Sequence, residues 1–141
     1  MREIKFRGKR VDNGEWIVGF PEFHLVDGDL TKTKQDAFIT YDYMDKIGKV
    51  YRDRFNVIPE TVGQFTDKTD SSGREVYEGD ILECTGWENE YHVVEFMDHA
   101  FVAHKIGRPS WTVSNYTKLD GVWEFNIVGN KWDNPSLLEA N

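Results

Sequence analysis

The chain of 141 residues has very little cysteine and no long apolar run. Its single cysteine, Cys84, excludes an internal disulfide framework and is typical of a protein from a reducing compartment. The chain has no stretch of about 18 apolar residues that could form a membrane helix. The N-terminal residues MREIKFRGKR also lack the apolar stretch of a secretory signal. We therefore expect a soluble, intracellular protein without a membrane partner.

The chain also lacks a surplus of basic residues, with 17 Lys and Arg against 25 Asp and Glu. The segment from Asp67 to Asp98 holds ten acidic and two basic residues, so it carries 2 − 10 = −8, which equals the net charge of the whole chain. Because phosphate neutralisation supplies most non-specific nucleic-acid affinity, a tight duplex binder is disfavoured. Five basic residues near the N-terminus leave weaker nucleic-acid binding open: Arg2, Lys5, Arg7, Lys9 and Arg10.

Aromatic residues and turn signals are abundant. The chain has 9 Phe, 5 Trp and 6 Tyr, and each buried ring removes roughly 150–250 Å² from water. We therefore expect aromatic side chains to form much of the core. Dipeptides such as Asn13-Gly14 and Asp120-Gly121 separate short apolar segments, as in hairpins. The pattern predicts a mainly β fold, a small barrel or sandwich of short antiparallel strands.

Alternating apolar residues predict that EIKFR pairs antiparallel with EWIVGF across the Asn13-Gly14 turn. Residues 41–55 fit either a helix or a hairpin that turns at Gly48, and we favour the hairpin. Asn134 as N-cap and Pro135 predict a short C-terminal helical turn that docks its leucines on the sheet. Further strands are predicted at Ala37–Tyr41, Thr61–Phe65, Ile81–Thr85, Tyr91–Phe96, Phe101–His104, Tyr116–Leu119 and Val122–Val128.

The stretch GQFTDKTDSSGREVYEGDIL, residues 63–82, concentrates acidic residues and glycines. A calcium loop starting at Asp67 would use Thr69, Ser71 and Glu78 as ligands, but Gly73 comes one residue too late for the sharp turn. A catalytic pair of carboxyl groups would need a pocket that excludes water and shifts the pKa values of the two groups apart. The candidates for such a pair are Glu75, Glu78 and Asp80. We favour an exposed turn that leads into a strand, with the aspartate accepting backbone N–H bonds.

Histidine and cysteine do not predict a reactive site. His99 and His104 are five residues apart, so they would point to opposite faces of one strand and could not both bind a metal ion. The acidic residues near His92 leave a raised pKa for that histidine open, and His24 is expected to be a hydrogen-bonded or surface histidine. Cys84 is expected to be a small buried hydrophobe, because no nearby histidine is visible to lower its pKa.

The tryptophans are predicted to serve mainly in core packing: Trp16, Trp87, Trp111, Trp123 and Trp132. A stacking platform for single-stranded nucleic acid would normally need a basic groove as well. Trp87 differs from the others because it lies in the polar segment TGWENEY. We expect Trp87 to be an exposed anchor in a protein interface.

Three ordered segments resemble the YopX family, small proteins encoded mostly by bacteriophages and prophages. They are MREIKFRGKRVDNGEWIVG, VIPETVGQFTDKTDSSGREVYEGDIL and FNIVGNKWDNPSLLE. The resemblance implies a β-rich fold with a small barrel, a phage or prophage origin, a location in the cytoplasm of the bacterial host, and self-association. It implies no established activity and supplies no catalytic motif.

These observations lead to one working interpretation. We expect a single domain over residues 1–141, in which an N-terminal hairpin region (about 1–60) packs on a β-barrel core (about 61–141). The function favoured is a non-enzymatic protein-binding or self-assembly module that binds itself or a phage or host protein, and nucleic-acid binding is the alternative. No catalytic residue, metal ligand or small-molecule cofactor is expected, and the sequence does not identify the binding residues.

Overall fold

The structure is a computed structural model, and it describes residues 3–25, 35–84, 90–97, 99–107, 116–118 and 124–139. As predicted, the fold is mainly β, with the strands in antiparallel sheets, and the described residues include two short 3-10 helices. The chain divides into two compact units, Glu3–Gln64 (the N-terminal unit) and Phe65–Asn141 (the C-terminal unit). Among the described residues, no helix has the length and apolar character needed to cross a membrane.

The N-terminal unit is an antiparallel sheet with the strand order β4-β3-β2-β1-β5. The predicted first hairpin is confirmed, since Arg7 of β1 pairs with Val18 of β2. A 3-10 helix at Pro59–Thr61 connects β4 to β5, whose first two residues pair with β1. The strands are β1 (Phe6–Lys9), β2 (Trp16–Leu25), β3 (Gln35–Met44), β4 (Val50–Val57) and β5 (Gly63–Thr69).

The core of the N-terminal unit is small and aliphatic. Ala37, Ile39 and Val57 are fully buried where β3 and β4 pair. An isolated bridge between Arg10 and Val57 brings the end of β1 beside the end of β4. This contact is a single bridge and not a continuous ladder. Both sheets have an open strand order, so the described strands do not form a closed barrel.

In the C-terminal unit, the remainder of β5 pairs with β6, and five strands form a second sheet in the order β10-β9-β8-β7-β11. A 3-10 helix at Pro135–Glu139 follows the last strand. The strands are β6 (Glu75–Tyr77), β7 (Asp80–Cys84), β8 (Tyr91–Met97), β9 (Ala100–Lys105), β10 (Tyr116–Lys118) and β11 (Phe125–Asn130). The core cluster consists of Val76, Leu82, Cys84, Val94, Phe101, Ala103 and Phe125.

Aromatic side chains contribute less to the core than expected. Among the described residues, the buried apolar side chains are mostly aliphatic, and the aromatic ones are Phe65, Tyr77, Phe101 and Phe125. Other rings, such as that of Phe20, are exposed. The physical reason is that short strands in small sheets bury only one row of side chains, and several rings lie on the opposite face.

The ambiguous segment 41–55 is a hairpin, as favoured. β3 and β4 pair continuously from Ala37 opposite Val57 to Met44 opposite Val50, and Gly48 turns the chain with φ +89°. The predicted C-terminal helical turn is also present, with Leu137 half-buried and Leu138 39% exposed. The side chain of Asn134 accepts the N–H of Asn130 at 3.1 Å, which fastens the turn to the end of β11.

Candidate functional site

Asp70 is buried, so the expectation that this acidic segment faces water is wrong for this residue. Its carboxylate accepts the backbone N–H groups of Ser72 (2.9 Å), Arg74 (2.9 Å) and Ile127 (3.1 Å), and also Nε of Arg74 (3.0 Å). Burial opposes ionisation, but these donors and the charge of Arg74 outweigh it and hold the pKa of Asp70 below its usual value. The carboxylate therefore joins a turn to β11.

The Glu-Gly-Asp turn is also structural. Asp80 accepts the backbone N–H of Tyr77 at 2.8 Å, as predicted, but its side chain is buried and not exposed. Gly79 has φ +89°, and its carbonyl accepts the N–H of Lys131 at 3.0 Å. The ring of Trp132 lies where a Cβ on Gly79 would be. Two segments that carried the family resemblance therefore pack on each other.

The residues considered for a calcium loop do not converge. Asp67 and Thr69 are exposed on β5, while the hydroxyl of Ser71 donates to the carbonyl of Phe125 at 3.0 Å. Within the part of the chain that the structure describes, no three His, Cys, Asp or Glu side chains cluster as metal ligands. The roles visible for this segment are those of a turn.

Cys84 does have a histidine beside it, which the sequence did not predict. The thiol sulfur lies 4.0 Å from Nδ1 of His92, and both side chains are buried. Leu82 pairs with His92 across β7 and β8, and strand alternation puts Cys84 on the same face. Predicting this contact from the sequence would have required the register of β7 against β8.

The Cys84–His92 pair is not an activated thiol. Burial, followed by the charges of Glu90 and Glu83, raises the pKa of Cys84. Burial, followed by the charge of Lys105, lowers the pKa of His92, so the raised pKa left open above is wrong. Both groups are neutral near pH 7, the opposite of the thiolate and imidazolium pair that nucleophilic catalysis requires.

His104 is close enough to His92 for its charge to contribute to the lowered pKa of His92, and His24 lies 3.3 Å from a carboxylate oxygen of Glu22. His104 on β9 has Nδ1 3.7 Å from a carboxylate oxygen of Glu95, whereas His99 precedes β9 with φ +67°. Among the tryptophans, Trp16 and Trp132 are half-buried. The proposed interface anchor Trp87 lies outside the described residues, as do Trp111 and Trp123.

The strongest candidate for a contact site is the end of the β3–β4 hairpin. The pairing of β2 with β3 ends at Phe20 opposite Thr40, so the described residues beyond Thr40 on β3 pair only with β4. Ile47 at the turn is 89% exposed and Met44 is 66% exposed. We define the hairpin surface as the five exposed apolar residues Tyr43, Met44, Ile47, Val50 and Tyr51.

The turn that presents Ile47 is held in one conformation by Asp45. The Asp45 carboxylate accepts the backbone N–H groups of Lys49 (2.9 Å) and Ile47 (3.0 Å) and the hydroxyl of Tyr51 (3.2 Å). The N–H of Lys49 is the largest cause of the lowered pKa of Asp45. A turn fixed in this way loses little conformational freedom on binding.

The hairpin surface has apolar groups on both faces. Tyr43 and Tyr51 stack at 5.3 Å on one face, and strand alternation puts Met44 and Val50 on the other. This arrangement fits a partner that encloses the end of the hairpin better than a flat partner. The sequence did not reveal it because the exposure of these residues depends on where the pairing of β2 with β3 ends.

Comparisons with known proteins agree with this fold. The YopX protein family model matches residues 5–139. The chain is similar to the crystal structure of protein EF1440 from Enterococcus faecalis, with a TM-score of 0.53 and 19% identity over 98% of this chain and 99% of that chain. At that identity the likeness shows the fold alone. A search of curated proteins found no match. Because the family model covers nearly the whole chain, the protein belongs to the YopX family.

Proposed function

We propose that this chain is a non-enzymatic protein-binding or self-assembly module of phage or prophage origin, and that the hairpin surface is its contact site. The observation that carries the proposal is the exposure of five large apolar side chains within nine residues, from Tyr43 to Tyr51. Contiguous exposed apolar groups on a rigid support are typical of protein interfaces. Tyrosine is also among the residues that most often dominate binding energy.

The reactive side chains support a non-enzymatic role. Cys84 and His92 are buried and neutral, and Asp70 and Asp80 hold backbone N–H groups. Each of these groups is occupied by a contact within the C-terminal unit. Catalysis by them would require those contacts to be broken first.

The proposal is tested by the mass of the protein in solution and by replacing Ile47. Sedimentation velocity at micromolar concentration should show an assembly, or affinity capture from infected or lysogenic cells should recover one partner protein. Ile47→Ser should weaken that association by about tenfold or more, because Ile47 is the most exposed apolar side chain of the hairpin surface. Ile4→Ser is the matched control, since Ile4 is also exposed but lies outside the hairpin.

Two results would overturn the proposal. One is a monomer that captures no partner, and the other is an association that Ile47→Ser and Ile4→Ser change equally. Both substitutions are at exposed positions, so neither should change the folding stability by more than about 0.5 kcal/mol.

Single-stranded nucleic-acid binding is the second candidate, and one observation favours it. Cationic groups lie over rings of the N-terminal unit, with Arg10 4.3 Å from the centre of Phe55 and Lys49 5.2 Å from that of Tyr51. Bases stack on such surfaces. A labelled oligonucleotide should then bind at low ionic strength and be released as salt rises. Absent binding, or binding that salt does not change, would reject this candidate.

A further inference from the structure

The outer edge of β4 is a second feature of the hairpin that can bind another chain, because it can pair with an added strand. β4 is the last strand in the sheet order of the N-terminal unit. Its C-terminal end is covered by the chain itself, because Val11 N–H donates to the carbonyl of Asn56 (3.0 Å) and Ile58 N–H donates to that of Lys9 (2.8 Å). The bridge between Arg10 and Val57 is antiparallel. This edge therefore already accepts one antiparallel segment.

The rest of the edge has no such cover among the described residues. The chain turns back after Val11 into β2, through hydrogen bonds that include Gly14 N–H to the carbonyl of Arg10 (3.1 Å). Backbone groups of an antiparallel strand point alternately to the two sides. Since Asn56 and Ile58 point outward, the N–H and C=O groups of Val50, Arg52 and Arg54 do so as well.

Two arginines lie on one face of this edge, each beside a carboxylate of a neighbouring strand. Arg52 and Arg54 lie on the same face of β4, and their side chains are 72% and 52% exposed. Arg52 lies 2.8 Å from Asp42, and Arg54 lies 3.5 Å from Glu22. The two guanidinium groups are therefore held beside the edge and still open to solvent. Each guanidinium already has one carboxylate beside it, and its remaining exposed N–H donors can bind an acidic side chain opposite them.

A second β4 edge is a poor occupant. Two copies related by a two-fold axis would place residues of the same face opposite each other. The three central registers then put Arg52 opposite Arg52, Arg52 opposite Arg54 (with Asp53 opposite Asp53), or Arg54 opposite Arg54. Like charges directly opposite each other are destabilising. Charged residues at an edge are a common protection against such pairing.

The geometry points to an extended acidic segment of a partner protein, added antiparallel to β4 between Val50 and Arg54. Main-chain hydrogen bonds to Val50, Arg52 and Arg54 would provide affinity. Alternate Asp or Glu side chains of the segment would face the two arginines, and the residues between them would lie on the face of Tyr51 and Asp53. This inference rests on the proposed protein-binding function, for which it names the kind of partner.

The test uses the full-length, isotope-labelled protein and a short blocked peptide that alternates glutamate and valine. Amide resonances of Val50, Arg52 and Arg54 should shift on titration. A peptide alternating lysine and valine should bind at least about tenfold more weakly at low ionic strength. A glutamate–valine peptide N-methylated at alternate residues lacks the strand donors, and its binding should be lost.

Two substitutions at one position separate the backbone contribution from the charge. Arg52→Ala removes the guanidinium alone and should weaken binding of the glutamate–valine peptide by about threefold. Arg52→Pro also removes the outward N–H group. Proline is tolerated at such a position of an edge strand, and this substitution should weaken binding of the peptide by at least about tenfold. The amide spectrum of each variant shows whether it is folded, and the N-methylated peptide gives the same information without a substitution.

The strand-addition inference is overturned if the β4 amides do not shift, if the two peptides bind equally, or if N-methylation has no effect. If that happens while Ile47→Ser still weakens association, the proposed function stands and only the strand-addition inference fails. If the protein also remains a monomer without a partner, both fail.

Discussion

The buried carboxylate of Asp70 accepts the backbone N–H of Ile127 at 3.1 Å, across 57 residues of chain. The same carboxylate holds the turn that follows it, through Ser72 and Arg74. Arg74 extends the connection by donating to the carbonyl of Ile127 at 2.8 Å. Asp70 therefore fastens the turn between β5 and β6 to β11, and the family's central and closing segments act as one structural piece.

Replacing Asp70 by asparagine should lower the free energy of unfolding by about 2 kcal/mol. The substitution keeps the shape but removes the charge from a buried acceptor with several donors. Urea unfolding of the two proteins measures the difference. Asp67→Asn is the matched control, because Asp67 is exposed, and it should change stability by no more than about 0.5 kcal/mol. Equal effects of the two substitutions would contradict the role assigned to Asp70.

The same carboxylate should contribute to acid unfolding. The pKa of Asp70 is lower in the folded protein than in the unfolded chain. Its ionised form therefore stabilises the fold above the unfolded pKa of about 4, and this stabilisation is lost as the pH falls through the folded pKa. Unfolding free energies measured from neutral pH downward should fall more steeply for the native protein than for Asp70→Asn. Parallel curves would show that Asp70 is not among the groups responsible.

Gly79→Ala should destabilise the protein more than Gly73→Ala. Both glycines have positive φ, but a Cβ on Gly73 would meet nothing within 4 Å, whereas one on Gly79 would meet the ring of Trp132. Gly73→Ala should therefore cost only the backbone strain of about 1–2 kcal/mol. Gly79→Ala should cost at least about 1 kcal/mol more, because of overpacking.

A double-mutant cycle with Trp132→Ala tests the cause of that difference. Removing the ring should make Gly79→Ala less costly than it is in the native background. Thermal or urea unfolding of the four proteins provides the measurement. Additive effects would mean that the ring does not limit the space at Gly79.

Cys84 should react slowly with thiol reagents in the folded protein. Its side chain is buried and its pKa is raised, so little thiolate is accessible at pH 8. Absorbance on reaction with a disulfide reagent should rise slowly for the native protein and at once in denaturant. Immediate stoichiometric labelling of the native protein would contradict a neutral Cys84–His92 pair. The same holds if the labelling rate rises with pH around a midpoint below the ordinary pKa of cysteine.

Much of the fold was predictable from local patterns. The Asn13-Gly14 turn and the alternation on either side of it predicted the β1–β2 hairpin, because both signals depend on a few adjacent residues. The β3–β4 hairpin was harder. Met44, Ile47 and Tyr51 fit helical spacing as well as a hairpin, and only the cross-strand pairs such as Tyr43 with Tyr51 separate the two structures.

The candidate contact site could not be predicted to the same extent. Tyr43 and Tyr51 were visible as aromatic residues and were expected in the core, but β3 and β4 extend past the last pairing with β2. Nothing near them in the sequence reports where the neighbouring strand ends. Exposure of these rings is a property of the sheet and not of the segment.

The sequence alone determined the turns, the alternating strands, the single thiol and the negative charge, because each depends on residue type or on neighbours a few positions away. Tertiary structure alone decided that Asp70 is buried, that Cys84 lies beside His92, and that Ile47 is exposed. Burial and pKa depend on which distant groups reach a side chain. Ile127 reaches Asp70 only once β11 has taken its place beside β7.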